Sequence, residues 1–164
     1  MSNPNDIVFR RATEADRPFM EEMNKLTETF GDPNGELPSD YAETSEHYIG
    51  RWTEDQGGIL VEEDGDKLGA AWLRNFTAEN PGTGYIADDY PEVAIALTPG
   101  STGKGLGGKL MRAVLDLAQV MGHPGISLCV HKDNPRAKHS YEKVGYQDIK
   151  MDDSGDYYVM LYKF

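Results

Sequence analysis

The residues best suited to chemistry lie between Pro91 and Gly108, in the run PEVAIALTPGSTGKGLGG. Val93 to Leu97 is a short apolar segment, Pro99 and Gly100 break it, and Gly103, Gly105, Gly107 and Gly108 follow within six positions. Glycine tolerates positive φ and close backbone approach, so several N–H groups can converge on one anion. A helix starting at once adds its own unpaired donors and dipole. The stretch reads as a strand feeding a phosphate cradle. Glu92, at the start of that strand, is a candidate general base, to be weighed against an exposed strand-end glutamate with no chemical role.

Two other loop chemistries are weaker. The nucleoside-triphosphate pattern G-x-x-x-x-G-K-[ST] fails, because Thr98 stands where its first glycine belongs and Gly105 follows Lys104. The dinucleotide pattern G-x-G-x-x-G is literally present from Gly103 to Gly108. Thr98 to Thr102 nevertheless separate it from the strand, and the chain has too few β–α units for a doubly wound sheet.

Charge is distributed unevenly. The chain of 164 residues carries a net charge of -12, which argues against a nucleic-acid or anionic-membrane binder. From Ser101 to Lys138, however, six basic residues (Lys104, Lys109, Arg112, Lys132, Arg136, Lys138) face two acidic ones. This basic island coincides with the glycine-rich loop. Residues 1 to 98 hold 7 basic and 21 acidic residues, which favours a cationic ligand on that half. The single cysteine, Cys129, excludes an internal disulfide. No apolar run at the N-terminus has leader length, and a cytoplasmic setting is expected. No scattered pair among His47, His123, His131 and His139 has metal-ligand spacing, so no metal is expected.

The elements that must position these residues follow in order. Ile7 to Arg10 reads as a strand, and Thr13 with Asp16 reads as a capping box before a helix ending at Gly31. Tyr41, Ser45, Tyr48, Ile49 and Trp52 suggest a second helix. Tyr41, Tyr48, Trp52 and Trp72 could line an amine pocket or fill the core. Residues 58–63 and 67–76 form a hairpin about Asp64-Gly65-Asp66, and residues 78–90 form a polar surface connection. Leu106, Leu110, Val114, Leu117 and Met121 recur at helical spacing from about Gly105. Ile126, Leu128 and Val130 alternate in a strand, with Cys129 read as a buried small hydrophobe. Asn134-Pro135 opens a short helix to Gly145, and residues 146–150 and 156–164 close the chain as a hairpin. The result is one mixed α/β domain over residues 1–164.

Three linked segments carry a resemblance: EVAIALTP, TGKGLGGKL, and ISLCV followed by NPRAKHSYEKVGY. Together they resemble the acetyl-CoA-binding core of the GCN5-related N-acetyltransferases, with its strand, [QR]-x-x-G-x-[GA] loop, helix, strand and N-x-x-A-x-x-x-Y-x-x-x-G-[FY] pattern. The resemblance implies a central mixed, mostly antiparallel sheet flanked by about four helices. It implies acetyl-CoA as donor, coenzyme A as product, and transfer to a small-molecule or peptide amine. Leu97 and Thr98 would lie beside the pantetheine arm, and Thr102, Gly103, Lys104, Gly105, Leu106, Gly107 and Gly108 would hold the pyrophosphate. Thr102 stands where the family usually has Arg or Gln. Asn134 matches a cofactor-contacting position and is equally placed to cap a helix. Tyr141 matches the tyrosine that protonates the departing sulfur. Catalysis would rest on Tyr141 and Glu92. A non-catalytic acyl-CoA sensor of the same fold is the alternative, and homodimer formation is left open.

Overall fold

Apolar alternation and turn chemistry account for most of the architecture. In the computed structural model, which describes residues 6–164, seven strands run as β1 (Ile7–Arg11), β2 (Gly58–Glu63), β3 (Asp66–Arg74), β4 (Glu92–Leu97), β5 (Gly125–His131), β6 (Gln147–Met151) and β7 (Tyr157–Lys163). Four helices accompany them: α1 (Arg17–Glu28), α2 (Tyr41–Ser45), α3 (Leu106–Val120) and α4 (Pro135–Val144). The first residues of the N-terminal stretch considered for a leader lie outside the described residues. Among the described residues no helix is long and apolar enough to cross a membrane.

The strands form one sheet in the order β1-β2-β3-β4-β5-β7-β6. The β2–β3 turn uses Asp64 (φ 51°) and Gly65 (φ 83°), the pair of left-handed residues that a two-residue hairpin demands. Every adjacent pair is antiparallel except β4 and β5. Those two are parallel and meet only at Glu92 and Ser127, with Ser127 N–H donating to Pro91 O at 2.9 Å. Beyond that point they part, and the sheet opens into a V in its middle.

The two faces carry separate cores. Val93, Leu110, Val114, Ile126, Leu128 and Met160 pack with α3 on one face. Met20, Met23, Trp52, Leu60, Ala70 and Trp72 pack with α1 on the other. Complete burial of a side chain such as Leu110 or Val114 contributes about 2 kcal/mol. Trp52 and Trp72 are fully buried, so both belong to the core.

Two local expectations need correction. The Thr13–Asp16 box caps a 3-10 turn, Glu14–Asp16, and α1 starts after it. Asp16 keeps the bond from Thr13 N–H at 2.9 Å and also pairs with Arg10 and Lys67, at 2.8 and 2.9 Å. The second helix stops at Ser45 and widens into a π turn, Glu46–Gly50. The carbonyls of this turn have partners elsewhere: His47 O accepts from Arg74 Nε at 3.0 Å, Tyr48 O from Trp72 Nε1 at 2.9 Å, and Ile49 O from Arg17 at 2.6 Å. A Cβ on Gly50 would lie 2.1 Å from Glu46 Oε2, the end of an exposed side chain that can move aside. π turns of this kind often place a functional side chain. Here the turn carries Tyr48.

Candidate active site

Glu92 is not exposed. It is 2% accessible, enclosed by the π turn, β5 and the connection before β4. Its Oε2 accepts from Tyr48 Oη at 2.6 Å and from Cys129 Sγ at 3.5 Å, and its Oε1 accepts from Gly84 N–H at 2.9 Å. Tyr48 Oη in turn accepts from Thr83 N–H at 2.9 Å. The expectation that residues 78–90 lie on the surface fails at their centre. A Cβ on Gly82 would sit 2.4 Å from Glu92 Oε1, and one on Gly84 would sit 2.7 Å from the Leu128 backbone, so glycine lets this segment fold over the carboxylate.

Burial pushes the Glu92 carboxyl up to about 7, and the three donors and the nearby Arg74 charge hold it from rising further. Near neutral pH the group can therefore both take and release a proton. Burial and the Glu92 charge raise the Cys129 thiol well above its ordinary value, so it stays a neutral donor. It is half-buried and bonded to the carboxylate, where a simple small hydrophobe was expected.

Tyr141 approaches from the other face. It lies on α4, packed against the α3-side core, with its ring tilted toward Tyr146 at 6.1 Å between centroids. Burial, followed by the proximity of Cys129, pushes its hydroxyl up to about 12. It is thus a protonated donor at neutral pH. Cys129 links the two: it donates to Glu92 and acts electrostatically on Tyr141.

The V itself offers unpaired backbone. Thr98 N–H donates to Leu68 O at 2.8 Å, so the alternating groups of Ala94 and Ala96 face β3. Those of Ile95 and Leu97 then face β5, which has already diverged. The Leu97 side chain sits against Gly107, where a Cβ would be 3.6 Å away. Past Thr98 the loop is ordered internally: Thr98 Oγ1 and Ser101 Oγ lie 2.7 Å apart, and Thr102 Oγ1 donates to Pro99 O at 3.2 Å. Threonine thereby ties down a loop at the position where the family pattern has a longer side chain.

Gly103 (φ 78°) and Gly105 (φ 75°) are left-handed, and Gly105 is the N-cap of α3 without a side-chain cap. The N–H groups of Leu106, Gly107 and Gly108 therefore have no partner within the helix. Cβ atoms on Gly105 and Gly108 would meet nothing within 4 Å, which leaves a shallow open cradle. Lys104 and Lys109 are exposed around it. Arg136 Nη2 lies 3.8 Å from where a Gly103 Cβ would stand, so α4 adds a cation that was counted in the basic island but not assigned to the loop. Asn134 caps α4, its Oδ1 accepting from Ala137 N–H at 3.4 Å.

These features fit an acyl-CoA. The open V matches an extended amide-bearing arm, and the glycine cradle with its cations matches a pyrophosphate. Residues 20–146 match the model of the Acetyltransferase (GNAT) family. The chain belongs to the GNAT acetyltransferase family. Acetyl-CoA is the acetyl donor among its relatives. The mycothiol acetyltransferase of Gordonia bronchialis is 30% identical over 115 residues, 62% of this chain and 37% of that protein. The chain spans about a third of the length of the curated relatives it matches. A Salmonella typhimurium protein solved with acetyl-CoA as its cofactor superposes with a TM-score of 0.69 at 19% identity, covering 97% of this chain and 94% of that one. The spermidine N-acetyltransferase of Vibrio cholerae, solved with CoA and spermine, gives 0.63 at 21% identity, covering 96% and 95%.

Sequence reasoning missed Tyr48 as the partner of Glu92, along with the cover supplied by Gly82 to Gly84. The pairing spans 44 residues. In the sequence Tyr48 reads as a second-helix aromatic that lines a pocket or fills the core.

Proposed function

We propose that this GNAT domain transfers acetyl from acetyl-CoA directly to a primary amine, and that the acceptor is a small cationic amine. One observation carries the reading: a buried carboxyl near neutrality and a buried tyrosine both act on Cys129, on the strand that parts from β4. When bound, acetyl-CoA supplies an activated thioester. The chain's residues do the rest. The backbone groups of Ile95 and Leu97 hold the extended arm as an added strand would, and the α3 N-terminus with Lys104, Lys109 and Arg136 holds the diphosphate. Leu97, Thr98 and Thr102 shape the path between them. Glu92 takes the proton that the acceptor ammonium must lose, through a hydrogen-bonded bridge because the carboxyl is enclosed. Tyr141 Oη gives a proton to the leaving sulfur.

The acceptor side supports a cation. Glu28, at the end of α1, is half-buried, and burial, then the neighbouring Asp40 charge, holds its carboxyl above the ordinary value while His131 opposes the rise. Phe30 and Tyr157 contact the His131 ring at 5.3 and 5.0 Å, so acid and aromatic surface share the α1 side of the gap. Relatives differ in what they act on, one being a mycothiol acetyltransferase and another a spermidine N-acetyltransferase. The assignment to cationic amines therefore rests on these residues.

The test is coenzyme A release over polyamines, amino acids, aminoglycosides and peptides. Turnover on a cationic amine, reduced about 10²-fold or more in Tyr141→Phe with acetyl-CoA binding retained, is the expected result. Acetyl-CoA binding without turnover on any amine would favour a sensor role. Absence of binding by calorimetry would refute both.

A further inference from the structure

We infer that Tyr48 is a positioning residue of this site: its hydroxyl orients the Glu92 carboxylate and stabilises its ionised form. The inference rests on the proposed role of Glu92 as the base.

The geometry separates the two carboxylate oxygens. Oε1 is fixed by Gly84 N–H at 2.9 Å, on the side of the covering segment. Oε2 is the oxygen beside Cys129 and the gap, and Tyr48 Oη is its short partner at 2.6 Å. Tyr48 is itself held at both ends. Its Oη accepts from Thr83 N–H, and its carbonyl accepts from Trp72 Nε1. Its ring lies edge-on to Phe76 at 5.2 Å and to His47 at 5.7 Å. The hydroxyl proton is thereby directed to Glu92, since Thr83 already donates to the oxygen. This is what the π turn achieves, because a continued α-helix would place residue 48 at a different angle.

Among the described residues, the charged and titratable groups that act on Glu92 come from three elements. Arg74 faces it from β3, Cys129 from β5 and Tyr48 from the π turn. His47 lies behind Tyr48, and Glu28 acts on Cys129 from α1. Of these, the short hydroxyl contact on Oε2 is the strongest neutral stabiliser of the anion, and charge-assisted hydrogen bonds of this kind are about twice as strong as neutral ones.

The experiment is the pH dependence of kcat/KM for the amine, measured with the intact chain and saturating acetyl-CoA. In Tyr48→Phe the acid limb moves up by about one pH unit. Activity near pH 7 then falls about 5- to 10-fold and recovers above pH 8.5, with the KM for acetyl-CoA unchanged. Fluorotyrosine incorporated at position 48 keeps the shape but donates more strongly, so it moves the limb down. An equal loss at every pH, or a limb that stays in place in both variants, overturns the inference. Glu92→Gln tells the two ideas apart. If it abolishes the limb while Tyr48→Phe leaves the limb unmoved, only the role of Tyr48 fails. If Glu92→Gln is fully active with the limb intact, the base assignment fails first.

Discussion

Burial of Glu92 has a cost that can be measured without any substrate. A glutamate that titrates near 4.5 in the unfolded chain and near 7 when folded holds its proton longer in the native state. Between those values the folded chain binds more protons than the unfolded one, so stability falls as pH rises. The contribution is fully present below about pH 4.5 and is lost as pH passes through 7. At 1.36 kcal/mol per pH unit the span is worth about 3 kcal/mol. Glu92→Gln is isosteric and cannot ionise. Its Oε1 can still accept from Gly84 N–H. The variant should therefore gain on the natural protein across this window, by about 3 kcal/mol between pH 5 and pH 8.5. Urea unfolding of both proteins at half-unit steps measures the difference directly, and contributions common to both cancel. A difference that is flat with pH would refute the reasoning, because it would mean that Glu92 ionises as readily in the native chain as in the unfolded one.

Other outcomes follow from the same geometry. Gly105→Ala places a side chain at φ 75° in open space, so it adds strain of about 1–2 kcal/mol without a clash; apparent acetyl-CoA affinity by calorimetry should weaken about 10-fold. Glu28→Gln should raise KM for a cationic acceptor about 10-fold, with kcat and the acetyl-CoA KM little changed in steady-state assays.

Legibility in the sequence divides along local and non-local lines. Alternation at Ile126, Leu128 and Val130, helical spacing at Leu106, Leu110, Val114 and Leu117, and the Asp64-Gly65 turn are local signals, and the strands and helices they predict are present. The glycine run likewise marked the loop before α3, because positive φ at Gly103 and Gly105 is a property of those residues themselves. The π turn was not legible. It exists because Arg17, Trp72 and Arg74, all distant in sequence, donate to its carbonyls. The enclosure of Glu92 was hidden for the same reason. Its partners Tyr48, Gly84 and Cys129 come from three separate segments, and no spacing rule links them. Tyr141 differs again: its motif pointed to it, while its burial depends on the α3-side packing of α4.

The parting of β4 from β5 connects fold and function, and it makes a prediction at single-residue level. A sheet normally pairs its backbone groups throughout, yet here the parallel pairing stops at Glu92 and Ser127. Alternation then divides β4 residue by residue. Ala94 and Ala96 direct their N–H groups to β3, inside an antiparallel ladder. Ile95 and Leu97 direct theirs into the gap. Hydrogen exchange should therefore be slow at Ala94 and Ala96 and fast at Ile95 and Leu97 in the free protein. Coenzyme A should slow Ile95 and Leu97 selectively, since an extended amide-bearing arm supplies the missing partners. At about 100 times its Kd the ligand should also stabilise the whole fold by about 2.7 kcal/mol. Equal protection at all four amides without ligand would show that the gap is closed in solution. A ligand effect confined to residues 103–108 would show that the loop binds the diphosphate while the strand does not present the arm. In the expected case, the edge that β4 withholds from β5 is what holds the thioester between Glu92 and Tyr141.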